Sequence, residues 1–206
     1  MTHDPATTRL YHITDVKNLP AIVAAGGLLS DVALVGMPHQ VIGYDHIKQR
    51  RMTVNRIPCC GQRYVGEFVP FYFCPRSPML YTVNIGRTGR PVGCQTSIVH
   101  LVTTVARAVA LGQVWAVADG NAGAGHTAFA ADLAALDALD WSAIRAVQWQ
   151  GRTHQKSAEF LVADVFPWQA VEAIGCPNGQ VVQQVANLLV GCPHVPAIAA
   201  QPAWYY

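Results

Sequence analysis

A single carboxylate and a pair of adjacent arginines are the residues of this sequence whose types and positions best suit chemistry. Glu159 begins the apolar run EFLV, and a carboxylate at the start of a strand can reach into a cleft. There it could bind a sugar hydroxyl, stabilise an oxocarbenium ion or take a proton from a nucleophile. Arg50 and Arg51 could hold a diphosphate or the polar edge of a nucleobase. The simpler interpretations are a solvated glutamate at a strand end and a surface charge pair.

Other polar residues narrow the chemistry. A glycosidase would need a second acid near Glu159, and neither Asp119 nor Asp164 has a spacing that favours this role. His12 lies in a predicted strand and could bond to a ligand amide or ribose, although a lone histidine there is more often structural. The stretch GNAGAG lacks the glycine spacing of a dinucleotide-binding turn, so phosphate binding is not expected there.

The elements that would position these residues are short strands with helices at uneven intervals. Apolar runs predict strands at 10–14, 68–73, 79–84, 98–102, 114–118 and 159–165. Capping residues and apolar stripes predict helices at 15–26, 103–110, 130–139 and 179–190. An ordered loop with a helical turn or two is expected at 38–58, and a polar loop at 149–157. This pattern favours an α+β fold over a doubly wound sheet.

Length and composition set the class of protein. A chain of 206 residues with 51% hydrophobic residues predicts one folded domain, over 1–206, and excludes a disordered protein. Neither an export signal nor an apolar span of about 18 residues is visible, so we expect no membrane segment. The six cysteines lack the spacings typical of zinc sites, which predicts reduced thiols in a cytoplasmic protein and no metal catalysis.

The charge of the chain is unevenly distributed. Residues 40–90 contain eight Lys/Arg against two Asp/Glu, whereas residues 108–175 contain three against seven. A net charge of +2 thus combines +6 in one segment with −4 in another, and eleven of the fourteen cations are arginine. Such a basic segment suggests a polyanionic partner, although a scattered solvated surface would give the same composition. Aromatic residues beside Arg76 in PFYFCPRSPMLY could stack bases or simply fill the core.

Taken together, seven ordered motifs resemble the DarT family of DNA ADP-ribosyltransferase toxins. They are YHIT at 11–14, NLPAIVAAGGLL at 18–29, IKQRR at 47–51, VPFYFCPRSPMLY at 69–81, ADGNA at 118–122, AEFLV at 158–162 and WYY at 204–206. The resemblance implies an ADP-ribosyltransferase-like α+β fold with a mixed, mainly antiparallel sheet and flanking helices. It also implies cleavage of NAD+ at the nicotinamide glycosidic bond and transfer of ADP-ribose to a base of single-stranded DNA, usually thymine at N3.

The resemblance further implies roles for particular residues. Glu159 matches the catalytic glutamate, and the second catalytic position falls in the arginine pair, where Arg50 is favoured and Arg51 remains possible. Residues 34–52 match a loop folded over NAD+, and residues 119–159 match a substrate-recognising loop. The NAD+-binding residues implied are His12, Ile13, Thr14, Leu29, Arg50 and Arg51. Given that activity, the expected DNA contacts are Tyr72, Arg76, Met79, Tyr81, Asn121 and Trp149, with Tyr72, Tyr81 or Trp149 as stacking surfaces.

Two features leave the substrate and partner open. The stretch WQGRTHQKSAEFL is shorter and less basic than is usual in the family, so guanine stays an alternative to thymine. RNA or protein as acceptor, and a catalytically silent module that binds nucleic acid, are further alternatives. An antitoxin with ADP-ribosyl glycohydrolase activity is expected as partner from the resemblance alone.

Overall fold

The strands of the main sheet come from almost the whole length of the chain. A computed structural model describes residues 3–206. Its strands are β1 Arg9–Asp15, β2 Gly27–Leu29, β3 Arg56–Ile57, β4 Arg63–Tyr64, β5 Phe68–Tyr72, β6 Ile98–Thr104, β7 Trp115–Ala118, β8 Phe129–Ala130, β9 Glu159–Ala163, β10 Val165–Pro167, β11 Ala173–Cys176 and β12 Ala197–Ala200. Its α-helices are α1 Leu19–Ala24, α2 Asp45–Thr53, α3 Pro78–Asn84, α4 Val105–Val109, α5 Ala135–Ala138, α6 Trp141–Arg145, α7 Thr153–Lys156 and α8 Gly179–Leu188.

The main sheet has eight strands in the order β12-β11-β6-β1-β5-β9-β7-β8. Its neighbouring strands are antiparallel, except for the parallel pair β11 and β12. The pairs β10 with β2 and β3 with β4 form two small additional ladders. The expected α+β fold, with a mixed and mainly antiparallel sheet and flanking helices, is therefore confirmed.

The sheet is interrupted at its centre, between β1 and β5. These two strands share a single register pair, Tyr11 with Tyr72, whereas β1 pairs with β6 at seven positions. Beyond that pair His12 bridges the gap, because its Nδ1 lies 2.8 Å from the carbonyl oxygen of Pro70. The interruption leaves space for a cavity between the two halves of the sheet.

The two faces of the sheet are covered differently. The largest apolar cluster, which includes Phe71, Phe160 and Trp168, packs on one face. Successive residues of a strand point to opposite faces, so Tyr72 and Glu159, which pair in register, point away from that cluster. Two smaller apolar clusters lie on the face of the sheet to which Tyr72 and Glu159 point. One contains Ile57, Phe68 and Leu161, and the other contains Ile13, Leu80 and Tyr205. The Glu159 carboxylate of the site described below therefore lies on this second face.

Two of the predicted strands and helices are wrong, and the two predicted loops contain helices α2 and α7. Residues 79–84 form helix α3, not a strand, because Ser77 caps the helix by accepting a hydrogen bond from the Leu80 amide and Pro78 occupies its first turn. Leu80 and Val83, three residues apart, form its buried face. The predicted helix at 130–139 is reduced to α5, and its first residue belongs to strand β8. A short apolar run is compatible with a strand and with a helix, so the sequence pattern alone did not distinguish the two.

Two further findings concern the class of protein. All six cysteines are free thiols. Within residues 3–206, none of the helices combines the length and the apolar character needed to cross a bilayer.

Candidate active site

A buried carboxylate lies at the centre of the site. Glu159 is the first residue of β9, in the middle of the sheet, and its side chain is 1% exposed. Arg51 Nη1 donates to Oε1 at 3.3 Å and to Oε2 at 3.1 Å, and Arg51 Nη2 donates to Oε2 at 3.1 Å. The main-chain N–H of Ala122 also donates to Oε1, at 3.2 Å. Both carboxylate oxygens are thus held by donors that come from two separate segments.

The arginine of this pair is Arg51, not Arg50. In helix α2, Arg51 lies one turn after Ile47 on the buried side, while Arg50 is exposed to solvent. Adjacent helical residues point about 100° apart, so only one of the two arginines can face Glu159. The structure therefore places Arg50, which the resemblance favoured for catalysis and NAD+ binding, outside the site.

The charge of Arg51 is fixed by its surroundings. Burial opposes the charged form, but the carboxylates of Glu159 and Asp31 outweigh this effect and raise the pKa of Arg51. Its Nε is buried and has no hydrogen-bond partner among residues 3–206. Arg51 therefore remains a cation and cannot accept a proton.

Close packing holds α2 against the rest of the site. A Cβ atom on Gly66 would lie 2.6 Å from Cγ and 2.9 Å from Cα of Met52, so the helix rests directly on the backbone of this glycine. A Cβ atom on Gly123 would lie 3.5 Å from Cγ of Arg51, so the loop after β7 contacts the same helix. The helix and the loop that supply the Glu159 donors therefore touch each other.

A cavity of about 220 Å³ opens beside this pair, at the interruption of the sheet. Its walls are β1, α1, β2, the loop after β2 and helix α2. The predicted site residues that line it are His12, Ile13, Thr14, Leu29, Arg51, Tyr72, Met79 and Asn121. The structure thus brings most of the predicted NAD+ and DNA residues to one cavity.

Polar groups of the cavity wall are held in defined orientations. Burial lowers the pKa of His12, and the Pro70 carbonyl accepts a hydrogen bond from Nδ1–H, so Nε2 of the neutral ring is an acceptor. Thr14 Oγ1 accepts a hydrogen bond from Asn18 Nδ2 at 3.1 Å. The same Asn18 side chain donates to the carbonyl of Gln40 at 2.9 Å and accepts from its N–H at 2.7 Å. Asn18, which sequence reasoning missed, thereby fastens the loop after β2 to strand β1.

Two further polar side chains, Tyr72 and Lys48, line the cavity. Burial, followed by the charge of Glu159, raises the pKa of Tyr72 well above its usual range, so its hydroxyl stays protonated. Lys48 lines the cavity and forms an ion pair with Asp31 at 3.2 Å. Arg51 is bonded to Glu159. Lys48 is therefore the cation of this wall that could leave its partner, Asp31, and pair with a bound ligand.

The remaining predicted DNA residues form an aromatic cluster outside the cavity lining. The ring of Tyr81 packs edge-on against Trp149 at 5.6 Å and against Tyr206 at 5.1 Å between centroids. The guanidinium of Arg76 lies over the Tyr206 ring at 4.5 Å. Tyr206 was not among the predicted contacts, although the motif WYY contains it. This cluster, Arg76, Tyr81, Trp149 and Tyr206, is called the aromatic platform below.

This arrangement suits chemistry at a glycosidic carbon. A carboxylate held rigidly by a fixed cation and an amide can stabilise positive charge that develops on a sugar ring next to the cavity. The two acids considered as partners for Glu159 are engaged elsewhere, since Asp119 contacts His154 and Asp164 contacts Arg63. The fold and the site together define a transferase of glycosyl groups rather than a two-acid glycosidase.

Comparison with known proteins identifies the family. The family model described as "DarT: ssDNA thymidine ADP-ribosyltransferase, DarT" matches residues 11–206. A DNA ADP-ribosyl transferase of Thermus aquaticus is 37% identical to this chain over 204 residues, which cover 98% of this chain and 90% of the relative. The chain therefore belongs to the DarT family, and the resemblance seen in its motifs is confirmed.

Solved structures agree with this assignment. Thermus sp. 2.9 DarT in complex with ADP-ribosylated ssDNA matches with a TM-score of 0.92 and 34% identity, over 100% of both chains. The same protein in complex with NAD+ matches with a TM-score of 0.87 and 31% identity, again over 100% of both chains.

Proposed function

We propose that this protein transfers ADP-ribose from NAD+ to a base of single-stranded DNA, with thymine N3 as the acceptor and nicotinamide as the leaving group. The observation that carries the proposal is the buried Glu159, bonded to Arg51 and to the Ala122 amide beside a cavity, in a chain of the DarT family. NAD+ complexes and ADP-ribosylated ssDNA in a protein that matches over the full chain support both substrates.

The reaction needs one carboxylate. Nicotinamide leaves from a cationic pyridinium, so the bonding pair of the glycosidic bond moves into the ring and no acid is needed to protonate the leaving group. The ribose carbon becomes an oxocarbenium ion, which the negative charge of Glu159 stabilises. Thymine N3 then forms the new bond to this carbon and loses its proton. Since Arg51 stays charged, Glu159 is the group we assign to accept that proton.

The cavity supplies contacts for NAD+. We assign the nicotinamide and its ribose to the wall of His12, Ile13 and Thr14, where the neutral His12 offers an acceptor. Leu29 would add an apolar contact to the ligand. Lys48, rather than the exposed Arg50, is the cation available to the diphosphate. The loop 31–44, fastened through Asn18 and Gln40, would close over the ligand.

The aromatic platform would bind the DNA strand. Rings can stack on any base, and the arginine can contact the phosphate backbone. Tyr72, Met79 and Asn121 lie in the cavity wall and would contact the acceptor base beside Glu159. We propose that the chain acts as one domain in the cytoplasm, and that an antitoxin with ADP-ribosyl glycohydrolase activity reverses the modification.

Mass spectrometry of oligonucleotides tests the function directly. The protein is incubated with NAD+ and with DNA single strands that differ at one position, which is thymine in one strand and guanine in the other. RNA and protein acceptors are run in parallel. We expect one added ADP-ribose on the thymine strand, lost with Glu159→Gln and kept with Glu172→Gln, a change of an exposed glutamate. Modification of the guanine strand or of RNA, but not of the thymine strand, would show that thymine is not the acceptor. No modification of any acceptor would refute the proposal and leave DNA binding as the function.

A further inference from the structure

The two segments that donate hydrogen bonds to Glu159 are both connected to one buried side-chain amide outside the cavity, that of Asn55. Asn55 follows helix α2, is 9% exposed and does not line the cavity. With its amide oriented to satisfy its neighbours, Nδ2 donates to the carbonyl of Arg50 at 3.2 Å and to that of Gly123 at 3.3 Å. Arg50 immediately precedes Arg51, and Gly123 immediately follows Ala122. One side chain thus joins the two segments that hold the Glu159 carboxylate.

The backbone of Asn55 is itself anchored. Its N–H donates to the Arg50 carbonyl at 2.9 Å, and its own carbonyl accepts from the Val65 amide at 2.9 Å. The first bond fixes Asn55 to the end of α2, and the second fixes it to the start of the turn before β5. The side chain therefore projects from a rigid position toward Gly123, where a mobile residue could not hold the loop.

The contact matters because, among residues 3–206, few hydrogen bonds connect the loop after β7 to other segments near Glu159, although Ala122 is packed in the core. Ala122 N–H donates to Glu159, and Gly123 N–H donates to Asn121 within the same loop, at 2.8 Å. Asn55 is a link from this loop to the helix that carries Arg51. We propose that Asn55 is a positioning residue for transfer, which keeps the Ala122 amide and the Arg51 guanidinium on the two oxygens of Glu159. The inference rests on the proposed function, since it concerns the orientation of its catalytic carboxylate.

Substitutions at Asn55 should separate catalysis from NAD+ binding. Asn55→Asp puts a carboxylate where two carbonyl oxygens face the side chain, and Asn55→Ala removes the link. We expect kcat to fall by about 10–100-fold, the range for a misplaced catalytic group, with Asn55→Asp the lowest. NAD+ affinity measured by calorimetry should stay within about threefold, because the residue does not touch the cavity. Asn55→Ser, which keeps a donor, should lie between Asn55→Ala and the native protein.

A matched control removes the effect of stability alone. Asn178→Ala deletes the side-chain cap of α8, which accepts from the Val181 amide at 3.0 Å, and should leave kcat unchanged. If the Asn55 variants lose no more kcat than this control, or lose NAD+ affinity in step with kcat, the positioning role is wrong. If Asn55→Asp does not fold, the comparison of Asn55→Ser with Asn55→Ala decides the same question.

Hydrogen exchange gives a readout that does not depend on activity. In Asn55→Ala, amides of residues 119–128 should exchange about tenfold faster, as expected for loss of a hydrogen bond, while Asn178→Ala leaves them unchanged. Unchanged exchange in this segment would refute the link between Asn55 and the loop. A native protein that modifies no nucleic acid would instead refute the proposed function, and the exchange result would still stand.

Discussion

The two adjacent arginines of helix α2 offer a matched test of the site, because they share sequence context but not environment. Arg51→Met removes the guanidinium that makes three hydrogen bonds to Glu159, and Arg50→Met removes an exposed one. We expect Arg51→Met to abolish transfer and Arg50→Met to keep activity within about threefold, because Arg50 is exposed and does not line the cavity, and such substitutions rarely disturb the fold. The oligonucleotide mass assay measures both.

Loss of the ion pair between Arg51 and Glu159 should also lower the stability of the fold. Arg51 and Glu159 have side chains that are 9% and 1% exposed, so removal of the arginine leaves a buried carboxylate with one amide donor. Breaking such a buried pair costs about 3–5 kcal/mol, and in a chain of this size that lowers Tm by roughly 6–20 °C. The cost comes from the uncompensated charge. The double variant Arg51→Met, Glu159→Gln should therefore be more stable than Arg51→Met alone.

Stability is measured by thermal and urea unfolding of four proteins: the native protein, Arg51→Met, Glu159→Gln and the double variant. Equal losses of activity in Arg50→Met and Arg51→Met would contradict the assignment of Arg51, because only Arg51 contacts Glu159. A double variant no more stable than Arg51→Met would show that Glu159 is not a buried charge that depends on the arginine.

Two further predictions concern a buried histidine and the aromatic platform. Burial lowers the pKa of His100 from 6.5 to about 4, so the unfolded chain binds the proton first as the pH falls. The contribution of His100 to stability should therefore be complete above pH 6.5 and decline by about 3 kcal/mol as the pH falls to 4, which urea unfolding across this range measures. Tyr206→Ala should weaken binding of a fluorescent single strand by roughly 5–100-fold, the value of one stacked base, and leave NAD+ affinity unchanged. Tyr206→Phe keeps the ring but loses the hydroxyl that donates to the Arg76 carbonyl at 2.9 Å, so it should lose less affinity than Tyr206→Ala; equal losses in both variants would argue against stacking.

Much of the sheet could be predicted from the sequence, because its central strands are apolar runs bounded by turns. Strands β1, β5, β6, β7 and β9 lie where these runs predict them. Helix α3 was predicted as a strand from its apolar run, although Ser77 and Pro78 are a capping residue and a first-turn proline of the kind that begins a helix. Glu159 was predictable because a carboxylate that begins an apolar strand is unusual. The Ala122 amide was not, because every residue other than proline carries such a donor.

The choice between Arg50 and Arg51 shows where sequence reasoning ends. Helix α2 reads DHIKQRRMT, with too few apolar residues to mark an inward face. The one usable signal was the spacing of four between Ile47 and Arg51, which places both on the same side of a helix. Residues 45–51, where a helical turn or two was predicted, contain both side chains, but the whole stretch was interpreted as an ordered loop and the spacing was not used.

The charge asymmetry also acquires a structural explanation. Within the basic segment 40–90, four of the eight cations form ion pairs, and four of their five carboxylate partners lie outside the segment. The pairs are Lys48 with Asp31, Arg51 with Glu159, Arg63 with Glu67 and Asp164, and Arg90 with Asp15. Half of the apparent polyanion-binding charge therefore attaches this segment to the rest of the fold. Because fewer cations remain for phosphates, the proposed binding of a DNA strand would depend correspondingly more on stacking at the aromatic platform.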